Sequence, residues 1–264
     1  MTLGDALLDD FCTPARIAGL FDAAKGFVLE DWHFEGLTLR RAMGVGSGPS
    51  VLVLHGWGSG GQHMLGLARA LARAGMRPVV IDFPAHGASG GTQTTMLQCG
   101  RVIEALIDQL APIGICAHSF GAMAAAMLCG GHTYFGGAPY ANLKLALISP
   151  GYSLDWSVQR HCRDKALNDA QQKALRAAIV QRFDVEISHF HLAAIAAGLP
   201  AKTRVFHDCA DDIIALEEIR RIFCAAPHVP LCVSQGNGHD KILMARSVLR
   251  QVSQFFKVSD NSLQ

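Results

Sequence analysis

The chain has 264 residues, half of them hydrophobic, which is enough for one large α/β domain carrying an insertion or for two small domains. Lys+Arg 23 against Asp+Glu 22 leaves a formal net charge of +1. With no basic tract either, neither nucleic acid nor an anionic membrane is expected as a partner. The eight cysteines (Cys12, Cys99, Cys116, Cys129, Cys162, Cys209, Cys224, Cys232) are scattered without a C-x-x-C pair, so neither a zinc site nor a disulfide framework is suggested.

The opening stretch, MTLGDALLDDFCTPARIAGLFD, carries acids inside its apolar run and has no basic head. It does not read as a secretory signal, and a cytoplasmic protein is expected. KGFVLEDWHFEGLTLRRAMG then reads as an antiparallel hairpin turning near Glu35 and Gly36, assigned to a sheet edge. Six short apolar runs follow: SVLVLHG, RPVVIDFP, GICAHS, KLALISPG, TRVFHD and VPLCVSQG. Near-continuous apolar character is what strands buried on both faces of a parallel sheet require. Between them, QHMLGLARALARAG places Leu65, Leu67, Leu71 and Ala72 at helical spacing and stops at Gly75, and LQCGRVIEALIDQL repeats the pattern before Pro112. Such alternation predicts right-handed crossovers and a mostly parallel, doubly wound sheet.

Two segments stand apart. From Gln109 to Leu143 no residue is charged, yet Pro112, Gly114, His118, Ser119, Gly121, Gly130 and Gly131 suit a buried strand and central helix better than a membrane span. From Pro150 to Thr203 the alternation breaks into a mainly helical, more charged stretch, with Leu167, Leu175, Ile179 and Phe183 expected on one helix face. The expected division is a core of residues 1–150 and 201–264 with a helical cap at 151–200.

In an open parallel sheet, reactive groups belong beyond the carboxyl ends of the strands. His55-Gly56-Trp57-Gly58 follows the first of the six runs, FPAHGASGG the second, Ser119 the third, DCADD the fifth, and Gly236-Asn237-Gly238-His239 the last. A serine hydroxyl needs a neutral imidazole to take its proton as it attacks, and His239 is the candidate base. The imidazole in turn needs a carboxylate to hold its tautomer and stabilise its charge; Asp208, Asp211 and Asp212 are on offer. Asp212 also suits helix capping, Asp208 suits a turn, and Ser119 between strand and helix could be a plain N-cap.

From about Ser50 to the C-terminal helix, cap excepted, the chain resembles the α/β-hydrolase superfamily, in its serine-nucleophile, esterase- and lipase-like branch. The motifs HGWG, AHSFG and D…GNGH carry the resemblance, and their order matches the family's nucleophile, acid and histidine. The resemblance implies Ser119 as nucleophile, His239 as base and, by spacing from His207, Asp211 as acid. It further implies that the backbone N–H groups of Trp57 and Phe120 form an oxyanion hole, that Trp57 and His118 border a substrate pocket, and that His55 and His86 are structural. The cap itself holds Tyr152, Trp156, Phe183, Phe190 and Ile195, a mostly apolar set expected in part to roof that pocket, Tyr152 and Trp156 first, and in part to anchor the cap to the core. One departure is Ala117, where the G-x-S-x-G pattern has Gly; a single methyl adds little volume there. The implied activity is hydrolysis of a small-molecule carboxylic ester or thioester through an acyl-enzyme, without cofactor or metal, activity falling as acid protonates the base. Acyl transfer or carbon–carbon bond hydrolysis by the same residues is compatible with the motifs, and a non-catalytic, ligand-binding member of the fold is the further alternative. Asp-nucleophile dehalogenases and epoxide hydrolases do not fit Ser119.

Overall fold

A computed structural model describes residues 2–17, 25–137 and 140–257. The hairpin forms as expected from β1 (Phe27–Phe34) and β2 (Leu37–Gly44), antiparallel and joined at Glu35 and Gly36. The six apolar runs become β3 (Ser50–Leu54), β4 (Arg77–Ile81), β5 (Gly114–His118), β6 (Lys144–Ile148), β7 (Thr203–Asp208) and β8 (Leu231–Ser234). They join the hairpin in an eight-stranded sheet of order β1-β2-β4-β3-β5-β6-β7-β8. Only the β1–β2 and β2–β4 pairings are antiparallel, so the hairpin occupies one edge and the short β8 the other.

Strand period two divides the core between the two faces. Leu52, Leu54, Ile115, Ala117, Leu145 and Leu147 pack on one side, against α3 (Met96–Leu110) and α4 (Ser119–Cys129). Val51, Val53, Cys116, Ala146 and Ile148 pack on the other, against α2 (Gly61–Arg73) and the last helix, α8 (Arg246–Phe256). Helix α4 is buried from Gly121 to Cys129, which explains its all-round apolar sequence. At 11 residues it is far short of the roughly 20 needed to cross a bilayer, and no helix among the described residues is long and apolar enough to do so.

Between β6 and β7 lie α5 (Leu154–Asp164), α6 (Asp169–Phe183) and the short α7 (Leu192–Ile195). One expectation needs correction. Leu167 is not on the helix face with Leu175, Ile179 and Phe183, because Asn168 begins α6 with a capping box to Gln171 and leaves Leu167 in the preceding turn. Local capping here outweighs the apolar spacing. The amino-terminal α1 (Leu3–Phe11), itself started by a Thr2/Asp5 capping box, packs on α6. Asp10 pairs there with Lys165 at 2.9 Å and lies 3.3 Å from His161.

The order of the strands sets the position of the site. The chain runs outward from β3 to β4 and then returns to place β5 on the opposite side of β3. The loops leaving β3 and β5 therefore diverge from neighbouring strand ends at the switch point, the place where open α/β sheets bind their ligands.

Candidate active site

Ser119 leaves β5 and begins α4 with φ +50°, a left-handed conformation that costs a non-glycine residue of the order of 1–2 kcal/mol. Close packing enforces it. A Cβ at Gly121 would fall on the His55 carbonyl, and one at Gly56 would lie 3.0 Å from the Ser119 Cβ. The Ser119 carbonyl also accepts the Gly151 N–H at 3.0 Å. The turn leaves Ser119 half-exposed at the carboxyl end of β5. Ala117 fits without displacing its neighbours, fully buried in β5.

Ser119 Oγ lies 2.9 Å from His239 Nε2, and His239 Nδ1 lies 2.9 Å from Asp211 Oδ2. A neutral imidazole that donates Nδ1–H to the carboxylate presents the Nε2 lone pair to the hydroxyl. The Asp211 side chain is fully buried. Burial opposes its ionisation, but the hydrogen bonds from His239 and the Ile214 N–H, with the neighbouring imidazoles, outweigh that and hold its carboxyl below the usual range. Of the three candidate aspartates only Asp211 reaches His239. Its Oδ1 accepts the Ile213 and Ile214 N–H groups at 3.0 and 2.8 Å, which fixes the turn; Asp212 is exposed, and the next helix starts only at Leu216 with Ala215 as its N-cap, so Asp212 caps no helix.

Trp57 and Phe120 lie beyond β3 and at the first turn of α4. The Trp57 N–H has no acceptor among the described residues, and Phe120 occupies a helix turn whose N–H groups precede the internal hydrogen bonds. Two buried histidines fix the Trp57 loop. His55 donates Nδ1–H to the Gly56 carbonyl and accepts the Phe83 N–H on Nε2, while His86 donates to the Pro84 carbonyl and accepts the Gly58 N–H. The Trp57 ring, partly exposed, meets Phe120 and His86 edge-to-face at 5.1 and 5.3 Å.

The other pocket candidates separate. Tyr152 and Trp156 are half-buried and face each other with ring centroids 5.6 Å apart. His118 is turned inward, buried, with Nε2–H donated to the His239 carbonyl at 3.0 Å and its ring 4.8 Å from that of His239. Sequence reasoning missed the amino-terminal arm: Ala15 lies against Gly58, and Arg16 Nη2 donates to the Ser89 and Gly91 carbonyls at 2.8 Å each. Nothing in the local pattern of that arm announces such contacts. Potential metal-ligand atoms of His118, His239 and exposed Asp240 lie within 4.8 Å of one another. Both ring nitrogens of His239 are already engaged with Ser119 and Asp211, which suits proton transfer rather than ligation.

Burial pushes the imidazole of His55 down to about 3, assisted by the neighbouring His86, and those of His86 and His118 down to about 4, His118 assisted by His239. The unfolded chain takes up these protons below about pH 6.5, whereas the folded chain refuses them until lower pH, so stability is complete above that value and falls as pH drops. A urea midpoint clearly lower at pH 5.0 than at pH 7.5 is expected, a loss of several kcal/mol in all, at about 1.4 kcal/mol per pH unit for each group. An unchanged midpoint over that interval would contradict the buried, uncharged state of these rings.

A sheet of this order, with a serine at a strained strand-to-helix turn and a histidine and carboxylate from later loops, defines an α/β hydrolase. The family model described as "Alpha/beta hydrolase family" matches residues 51–248, and the chain belongs to that family. No curated protein matches it. Among solved structures it is similar to an esterase of Pyrococcus furiosus, at 19% identity over 92% of this chain and 96% of that one with a TM-score of 0.66. It is also similar to the thioesterase domain from the curacin biosynthetic pathway, at 16% identity over 86% and 99% with a TM-score of 0.62. A membrane phospholipase A, a bacterial virulence factor, shares 16% identity over 88% and 86% with a TM-score of 0.64.

Proposed function

We propose that the protein is a serine hydrolase that cleaves a carboxylic ester or thioester through an acyl-enzyme. The observation that carries this reading is the continuous line of hydrogen bonds from Ser119 Oγ through His239 to Asp211, each 2.9 Å long. His239 Nε2 takes the hydroxyl proton as Oγ attacks the substrate carbonyl carbon. The N–H groups of Trp57 and Phe120 receive the oxyanion, and Asp211 stabilises the imidazolium. The imidazolium returns its proton to the departing alcohol or thiol, and water, deprotonated by the same imidazole, releases the acid and regenerates Ser119. Esterase, thioesterase and phospholipase names among structures of the same fold agree with this chemistry.

In this reading residues 151–200 serve as the cap. Support comes from the Gly151 N–H on the Ser119 carbonyl, which sets Tyr152 beside the nucleophile's turn, with Trp156 of α5 against it. The pair, with Trp57, supplies an aromatic border for an apolar acyl or alcohol group. A reducing, cytoplasmic setting suits the eight cysteines, all free thiols.

The test is a series of p-nitrophenyl esters from acetate to palmitate, run beside labelling with a fluorophosphonate. Turnover together with labelling at Ser119 is the expected result, and the optimum chain length measures the pocket. Labelling without turnover would redirect the reading to acyl transfer or carbon–carbon cleavage by the same serine. Neither labelling nor turnover would overturn it in favour of a non-catalytic, ligand-binding member of the fold.

A further inference from the structure

His239 follows the shortest strand of the sheet. The strand that precedes it, β8, has four residues and lies at the sheet edge, and the connecting residues Gln235 and Gly236 are exposed. A base must nonetheless be held to a fraction of an ångström, since a misplacement of about 1 Å can cost on the order of 100-fold in rate.

The residue that spans this gap is Asp208, at the end of β7, fully buried although charged. Its Oδ1 accepts the backbone N–H groups of Ala210, Asn237 and Gly238 at 3.0, 3.1 and 3.1 Å. Its Oδ2 accepts the Ser234 hydroxyl at 2.7 Å and the Asn237 side-chain amide at 2.9 Å. Burial opposes the charge, but these donors outweigh it and hold the carboxyl well below the usual range, as charge-assisted bonds from several backbone N–H groups do. One end of the network is the residue before Asp211 and the other is the residue before His239. None of the five donors belongs to Asp211, His239 or Ser119, so the carboxylate acts on the reacting groups only through the loops that bear them.

We propose that Asp208 is a positioning residue that locks the acid turn and the histidine loop together, a role that rests on the serine-hydrolase reading above. A side chain without a planar, two-headed polar end could not bridge the acid turn to the end of β8 and the histidine loop, which is what the five contacts do.

The experiment is the rate of fluorophosphonate labelling, separated into inactivation and binding constants, for the wild-type protein, Asp208→Ala and Asp208→Asn. In Asp208→Asn the side-chain oxygen still accepts the three backbone N–H groups, and the amide can face Ser234 and Asn237 once the hydroxyl rotates and the Asn237 amide turns over. Asp208→Ala is expected to lower the inactivation constant by roughly 10- to 100-fold with the binding constant little changed, and Asp208→Asn to restore most of the rate. A folded Asp208→Ala protein that labels at the wild-type rate would overturn the proposal, since loss of a purely structural contact lowers the melting temperature and not the rate below it. Should Asp208→Ala not fold, the Ser234→Ala/Asn237→Ala double variant removes both donors to Oδ2; a lowered inactivation constant supports the proposal and an unchanged one overturns it. Absence of labelling in the wild-type protein would overturn the serine-hydrolase reading and this proposal with it, whereas labelling that is equal in all variants overturns the proposal alone.

Discussion

Replacing Ser119 with Ala is expected to lower kcat on the best p-nitrophenyl ester by about 10⁴-fold or more and to abolish phosphonate labelling. Folding should change little. Ser119 is half-exposed and its hydroxyl bonds His239, so an unfolding free energy from urea titration within about 1 kcal/mol of wild type is expected. The backbone strain is the same for Ala as for Ser, because both carry a Cβ at φ +50°. Combined loss of activity and retention of stability would separate a chemical role from that of a helix-starting serine. An Ser119→Ala protein retaining more than a tenth of the activity would move the nucleophile elsewhere.

The second large effect concerns the acid. Asp211→Asn should lower kcat by about 10⁴-fold, while Asp212→Asn should stay within about twofold of wild type. Asn at 211 can keep its oxygen on the Ile213 and Ile214 N–H groups, where Asp211 Oδ1 now lies. Its amide then faces His239 Nδ1 in place of Oδ2. An amide there donates, so the imidazole must carry its proton on Nε2 and can no longer accept from Ser119. The turn survives and the tautomer is wrong. Asp212 is exposed, so its charge is screened, and it does not touch His239 or Ser119. The opposite ranking of the two variants, measured by kcat on one ester, would assign the acid to Asp212.

Much of the fold was legible because its signals are local. Each parallel strand is buried on both faces and must be a short apolar run, and SVLVL, GICAH and KLALI all became strands at those residues. The hairpin was legible from its turn, and α4 from the Pro, Gly and polar residues that punctuate the uncharged run from Gln109 to Leu143. Leu167 was misassigned because apolar spacing continued past a cap, and the Asn168 and Gln171 side chains decided where α6 begins. Ser119 and His239 were singled out by the combination and order of HGWG, AHSFG and GNGH, a family resemblance, and the structure places their side chains 2.9 Å apart.

What the sequence determined by itself is the order of strands and helices, the family resemblance, and the loops that bear a serine, three aspartates and a histidine. The resemblance pointed to Asp211 among the three aspartates, but only the tertiary structure decided that its carboxylate meets the imidazole, that Asp208 ties two loops together, that His118 bonds the His239 carbonyl, and that Ala15 reaches the loop of Gly58. The physical reason is the range of the interactions involved. Strand and helix formation depends on burial patterns within a few residues, whereas these contacts join groups 26 to 121 residues apart, from Asp208 with Ser234 to His118 with His239. Their formation depends on the parallel register of β7 on β8 and on the crossover that sets β5 beside β3, which no local spacing encodes.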